Sequence, residues 1–242
     1  MNTLENQVAV VTGASSGIGK AIALELAAQG ASLCLVGRKL ETLQSVVDAA
    51  KGKAGRHHCF QADLSVDHEV DELIAAIKRD VQAVDILVHG AGVIWLGPLE
   101  SAAADRLDSH YKTNVRAPYV LTQGLLPALK SRQGQVLFLN SSAGYAAKAN
   151  ASQYAASKHA LKAVADSLRE EVNPAGVRVL SLFLGRTASP MQAALHATEG
   201  KAYQPELLMQ PEDVAAVAIH ALTLPRTIEI TEISMRPLVK SY

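Results

Sequence analysis

A chain of 242 residues carries 23 Lys and Arg against 23 Asp and Glu, and 49% of it is hydrophobic. That is room for one sizeable α/β domain but short for two, and the even charge balance argues against general nucleic-acid binding through phosphate neutralisation. With no apolar run of about 18 residues and no basic stretch ahead of an apolar core at the start, neither a membrane span nor a secretory signal is expected.

Short β-rich runs alternate with helix-length segments from one end to the other. Residues 8–11 predict a strand and 18–29 a helix; 33–36 leads to 40–50, 58–61 to 66–78, and 86–88 to a long helical stretch over 102–130. Then come 136–139 with 151–171, and 177–183 with helical segments around 191–197 and 212–222, before a last strand at 227–233. The strands are nearly continuous apolar runs, as expected when helices cover both faces of a sheet. The fold class is therefore α/β, a doubly wound parallel sheet in a single domain spanning 1–242. Gly30, Gly55 and Pro98 punctuate turns, Pro174 and Gly176 close a helix, and Pro211 opens one. Cys34 and Cys59 each lie in a strand-like stretch. They are read as buried thiols in a reducing cytoplasm, although neighbouring strands leave a disulfide open. Eight scattered histidines suggest no metal site.

The first strand runs into Thr12-Gly-Ala-Ser-Ser-Gly-Ile-Gly19 and then a helix, the layout that binds a pyrophosphate. Gly13 allows a tight turn, Gly17 lets backbone approach the phosphates, and Gly19 permits close helix–strand packing. The helix beginning near Ile18 offers unpaired N–H groups and the positive end of its dipole. Ser15 and Ser16 add hydroxyls for phosphate or ribose oxygens. An acidic residue after the second strand would bind adenine ribose hydroxyls, but this chain has Arg38-Lys39 there. Arg38 suits a forked pairing with a 2′-phosphate, so NADP(H) is expected in preference to NAD(H). Asp63, with Leu64 flanking the ring, reads either as an acceptor for the adenine amino group or as a helix cap.

A second motif carries the chemistry. Tyr154 and Lys158 stand four apart in Tyr-Ala-Ala-Ser-Lys, on one helical face. A phenol has a pKa of about 10, and a neighbouring cation favours its ionised form. Tyr154 is therefore expected to be acidified and to serve as general acid or base at a carbonyl or alcohol oxygen. Ser141, at a strand end, is placed to hold the same oxygen, with Ser142 the competing candidate.

These residues give the chain a resemblance to the short-chain dehydrogenase/reductase family over nearly its whole length. It is carried by Thr12-Gly-x-x-x-Gly-x-Gly19, Asp63-Leu64, Asn114, Ser141 and Tyr154-x-x-x-Lys158. The resemblance implies a Rossmann-like fold and selects Ser141 over Ser142 by its spacing from Tyr154. It also brings Asn114 into the catalytic set, holding a water that links Lys158 to solvent, with Lys158 gripping the nicotinamide ribose. Three departures stand out. The family's Asn-Asn-Ala-Gly is His89-Gly90-Ala91-Gly92, which leaves backbone contacts from Gly90 and Ala91. The usual Pro-Gly is Leu184-Gly185, with Thr187 and Ser189 as carboxamide partners, and the C-terminus lacks an Asp-Gly-Gly common in fatty-acid-pathway members.

The implied activity is a carbonyl reductase that interconverts a ketone or aldehyde and an alcohol, acting on a small, largely apolar molecule. Its lid is expected at about 188–210; Trp95, Leu96 and Tyr145 read either as pocket lining or as loop packing, and Arg186 as a surface cation in preference to an anchor for an acidic substrate. A cofactor-sensing binding protein is the rival reading. By family analogy a homodimer or homotetramer is expected, without membrane or nucleic-acid partners.

Overall fold

The structure, a computed structural model, describes residues 4–50, 56–81 and 83–239; the turn expected at Gly55 lies outside them. Seven strands, β1 (Val8–Thr12), β2 (Ser32–Gly37), β3 (His58–Gln61), β4 (Ile86–His89), β5 (Gln135–Ser141), β6 (Arg178–Leu184) and β7 (Glu232–Met235), form one sheet. Their order is β3-β2-β1-β4-β5-β6-β7, and every pairing is parallel. The helices are α1 (Gly17–Ala28), α2 (Leu40–Ala49), α3 (Asp67–Asp80), α4 (Ala104–Tyr111), α5 (Ala117–Ser131), α6 (Ser152–Val172), α7 (Pro190–Thr198) and α8 (Pro211–Thr223).

Alternating strand residues feed two cores. Ala9, Val11, Leu33 and Leu35 pack with Ile22, Leu26, Val214 and Ala218 of α1 and α8 on one face. Val10, Cys34 and Val36 pack with Ile77, Leu121, Leu125 and Leu161 of α3, α5 and α6 on the other. A strand sandwiched in this way has no polar face, hence the unbroken apolar runs. Cys34 and Cys59 sit on adjacent strands, where Cys59 is level with Leu35 rather than Cys34. They point to opposite cores and remain free thiols.

Two expected elements differ. The long stretch 102–130 is broken by a π-helical turn, Lys112–Arg116, between α4 and α5. Pro118 has no N–H to donate to the Asn114 carbonyl four residues back, so the helical ladder shifts and the Ala117 N–H reaches Lys112. The last strand begins at Glu232 rather than 227. Before it, the Arg178 guanidinium occupies the carbonyls of Leu222, Leu224, Pro225 and Ile228 at 2.9–3.3 Å. Chain accepting from a side chain in this way is shaped as a loop, not as a strand edge.

Strand order reverses between β1 and β4, the place where sheets of this kind open a crevice beyond their carboxyl ends. Among the described residues no helix is long and apolar enough to cross a membrane. None of their His, Cys, Asp and Glu side chains forms a group that could hold a metal ion.

Candidate active site

The carboxyl ends of β1 and β4 meet around one hydroxyl. Thr12, 1% exposed, accepts the Gly90 and Ala91 amides on Oγ1 at 3.1 and 3.2 Å and donates to the Val88 carbonyl at 3.3 Å. The glycine turn is thereby tied to the loop after β4. Gly13 has φ 65, and a Cβ there would stand 2.7 Å from the Ala91 nitrogen. A Cβ on Gly19 would stand 2.4 Å from the Gly13 oxygen, so α1 can start this close to β1 only without one. Ser15 is half-buried, Ser16 precedes α1 in an extended conformation and is exposed, and Ile18 lies in the first turn of α1. The Gly90 and Ala91 amides are committed to Thr12.

Arg38 and Lys39 are exposed just past β2. Burial pushes the Asp63 carboxyl upward, but hydrogen bonds from Ser65 and the Arg38 charge outweigh it and hold the group below its ordinary value. Asp63 Oδ1 accepts from the Ser65 amide at 2.9 Å and hydroxyl at 2.7 Å, shaping the turn into α3. Leu64 packs at the edge of the apolar face it shares with Val36 and Ala62.

On α6 the Tyr154 and Lys158 side chains face each other, with the Lys158 nitrogen 5.9 Å from the Tyr154 ring centre. Lys158 is 6% exposed and donates to the Leu139 carbonyl of β5 at 3.0 Å. Loss of water lowers its pKa to about 8. The expected acidified phenol is not what this geometry produces. Burial raises the Tyr154 pKa above the ordinary phenol value, and the Ser141 hydroxyl offsets part of that rise. The reason is plain: the ammonium is turned toward a backbone carbonyl, and desolvation dominates at the phenol. Ser141 is the serine that interacts with Tyr154; Ser142 is exposed and opens the 3₁₀ turn Ser142–Gly144.

Asn114, 1% exposed, sits in the π-helical turn and pins the loop after β4. Its Oδ1 accepts the Val93 amide at 2.9 Å, while Nδ2 donates to the Val93 carbonyl and the Ser157 hydroxyl, both at 3.0 Å. Ser157 in turn donates to the Tyr154 carbonyl at 2.7 Å. Asn140 donates to the Lys158 carbonyl at 3.2 Å and accepts the Ser141 amide at 2.8 Å, clamping β5 to α6. Neither Ser157 nor Asn140 stood out in the sequence. The available signals were a small hydroxyl between Tyr154 and Lys158, and a polar side chain interrupting an apolar strand.

The departures from the family pattern have structural answers. His89 turns into the core rather than the crevice: its Nε2 lies 2.8 Å from the Thr122 hydroxyl and its ring stacks on Phe138 at 4.8 Å. Leu184 is buried between Ser141 of β5 and Met235 of β7, and Gly185 is pressed by Arg236 and Pro237. Thr187 bridges to Met209, and Ala188 donates to the Met209 carbonyl at 2.8 Å, so the two ends of segment 188–210 are zipped together. Ser189 lies over the glycine turn, its Cβ 3.2 Å from where one on Gly17 would be. Arg186 is tied to Glu199 by two bonds of 2.7 and 2.8 Å, which does not favour it as an anchor for an acidic substrate. Tyr145 lies against Phe183 with ring centres 3.9 Å apart and bonds Glu232 through its hydroxyl, so that hydroxyl is turned toward β7.

The family described as short chain dehydrogenase matches residues 7–200. An uncharacterized oxidoreductase of Staphylococcus aureus (strain USA300) is 31% identical over 239 residues, covering 98% of this chain and all of the relative. Among solved structures, an alcohol dehydrogenase from the archaeon Thermococcus sibiricus, complexed with 5-hydroxy-NADP, superposes with a TM-score of 0.88 at 25% identity, covering 98% of each chain. A metagenomic short-chain oxidoreductase in complex with NADP superposes with a TM-score of 0.82 at 31% identity, over 98% of this chain and 100% of that one. This chain belongs to the short-chain dehydrogenase family of oxidoreductases.

Proposed function

We infer that the protein is an NADP(H)-dependent oxidoreductase that interconverts a ketone or aldehyde and the corresponding alcohol. The observation that carries this reading is the meeting of Tyr154, Ser141, Lys158 and Asn114 at the carboxyl edge of the sheet, beside the β1–β4 switch point. The cradle fits a dinucleotide: Cβ-free backbone at Gly13, Gly17 and Gly19, hydroxyls at Ser15 and Ser16, and exposed cations at Arg38 and Lys39. Two solved relatives hold NADP or its 5-hydroxy derivative, in keeping with that fit. Asp63 and Leu64 would border the adenine, with Oδ2 as the acceptor because Oδ1 is committed to Ser65. Gly90, Ala91, Gly185 and Thr187 would border the nicotinamide half.

NADP(H), when bound, supplies or accepts the hydride. The chain's own residues manage the proton. A phenol held neutral by burial is the form that donates, so Tyr154 gives its proton to the carbonyl oxygen in reduction, while Ser141 holds that oxygen. In oxidation Tyr154 takes the alcohol proton as the phenolate, the form that burial opposes and the Ser141 hydroxyl favours. Asn114 and Ser157 fix the first turns of α6 against the loop after β4. Segment 188–210 serves as the lid; Leu195 and Leu208 root it in the core, and Met191 and Leu207 remain exposed on it.

The test is a panel of ketones, aldehydes and alcohols with NADPH and NADH side by side. A forked charged bond of about 1.5–3 kcal/mol predicts that Arg38→Ala lowers kcat/KM with NADPH about 10- to 100-fold and leaves NADH unchanged. Equal use of both cofactors, insensitive to that substitution, contradicts the cofactor assignment. NADPH binding without turnover anywhere on the panel would favour the binding-protein reading.

A further inference from the structure

His110 is the single buried residue of α4 and is 0% exposed. A short surface helix usually anchors through an apolar side chain; this one anchors through an imidazole with both nitrogens engaged. Nδ1 lies 2.7 Å from the Arg106 carbonyl, which only accepts, so Nδ1 carries the proton. Nε2 lies 3.1 Å from the Trp95 amide, which only donates, so Nε2 presents its lone pair. The ring meets Trp95 edge-on with centres 5.1 Å apart and lies 5.9 Å from the Tyr154 ring. Arg106, one turn earlier on α4, sets its guanidinium 4.5 Å over the Trp95 ring.

The placement follows from helix spacing. His110 and Asn114 are four residues apart and share a face. Asn114 takes the Val93 amide and His110 takes the Trp95 amide. Beyond them, Gly97 donates to the Asn150 carbonyl at 2.8 Å. The loop from Gly90 to Gly97 is thus stitched down along its length, and the His110 stitch stands beside the ring proposed to exchange the proton.

We propose that His110 is a positioning residue for substrate: it ties the Trp95 loop to the ring that neighbours Tyr154, fixes one wall of the substrate side, and so governs substrate affinity. This rests on the oxidoreductase reading for its consequence in turnover, but not for the pin itself. The packing and both hydrogen bonds are separable. His110→Phe keeps a ring beside Tyr154 and removes both polar contacts. His110→Gln gives up the ring but retains a donor for Arg106 and an acceptor for Trp95.

Trp95 is the sole tryptophan, so its emission reads the wall without any need for catalysis. In His110→Phe we expect red-shifted Trp95 emission and readier quenching by acrylamide, with NADPH affinity held within about twofold. Substrate KM rises about tenfold with kcat within about threefold, the pattern of lost uniform binding. His110→Gln restores the emission and most of the KM. The pin is overturned if Trp95 emission and quenching in His110→Phe match the parent protein. It is equally overturned if kcat, cofactor affinity and melting temperature all fall together and the Gln variant does no better, since that marks a merely structural role. Should no substrate turn over in any form, the emission measurements alone decide between the pin and its absence.

Discussion

Two titratable side chains at the carboxyl edge of the sheet, His89 and Lys158, are held below their ordinary pKa by loss of water, with different consequences. Lys158, brought to about 8, still carries its charge at neutral pH for the greater part. His89, brought to about 3, stays neutral in the fold across the whole range of use. An unfolded chain takes up a proton on that histidine near pH 6.5. Between about 3 and 6.5 the unfolded state therefore binds more protons, and stability falls as pH drops through this window while remaining intact above it. The contribution lost by pH 5 is about 2 kcal/mol, or roughly 4–8 °C in melting temperature for a chain of this size. His89→Asn restores the residue usual in the family and removes the group that titrates. Melts at pH 7 and pH 5 should show that variant losing about 2 kcal/mol less than the parent between the two. Parallel losses would mean that His89 is not the neutral buried ring described.

At the scale of the element, the β1–turn–α1 unit depends on backbone-to-backbone contact. Gly19→Ala would place a methyl 2.4 Å from the Gly13 oxygen, an atom that cannot rotate away. Overpacking of this kind costs about 1–3 kcal/mol, and the displaced turn should lose NADPH affinity as well. Gly97→Ala is the internal control: nothing lies within 4 Å of its Cβ position, so a change within about 0.5 kcal/mol is expected. Urea unfolding midpoints for the two variants check the contrast, and equal midpoints would refute it. This unit was readable from residues alone because strand, glycines and helix are contiguous. The π-helical turn was not read from them, although its cause, Pro118 four residues past Asn114, stands in the chain. Helical periodicity over 102–130 conceals a one-residue ladder slip. The start of β7 was misplaced for another reason: the side chain that claims residues 222–228 is Arg178, far away in sequence. His110 was missed because its role needs the loop after β4 folded back over α4.

At the scale of the whole molecule, the sheet topology brings Thr12, His89, Asn140 and Ser141 to one edge from widely separated parts of the chain. Alternation of strands and helices foretold that edge, and the paired motifs foretold Tyr154, Lys158 and Ser141 upon it. What spacing did not convey was the direction of the Lys158 amine. It points to Leu139, and burial holds the phenol above its ordinary pKa rather than below it. The central claim is that this phenol exchanges the proton with substrate. Its most direct test is the disappearance of NADPH absorbance with a reducible ketone, measured for the parent protein and for Tyr154→Phe. The account predicts turnover by the parent and a loss of about a hundredfold or more in the variant, with NADPH affinity unchanged. Turnover by Tyr154→Phe at the parent rate would contradict it.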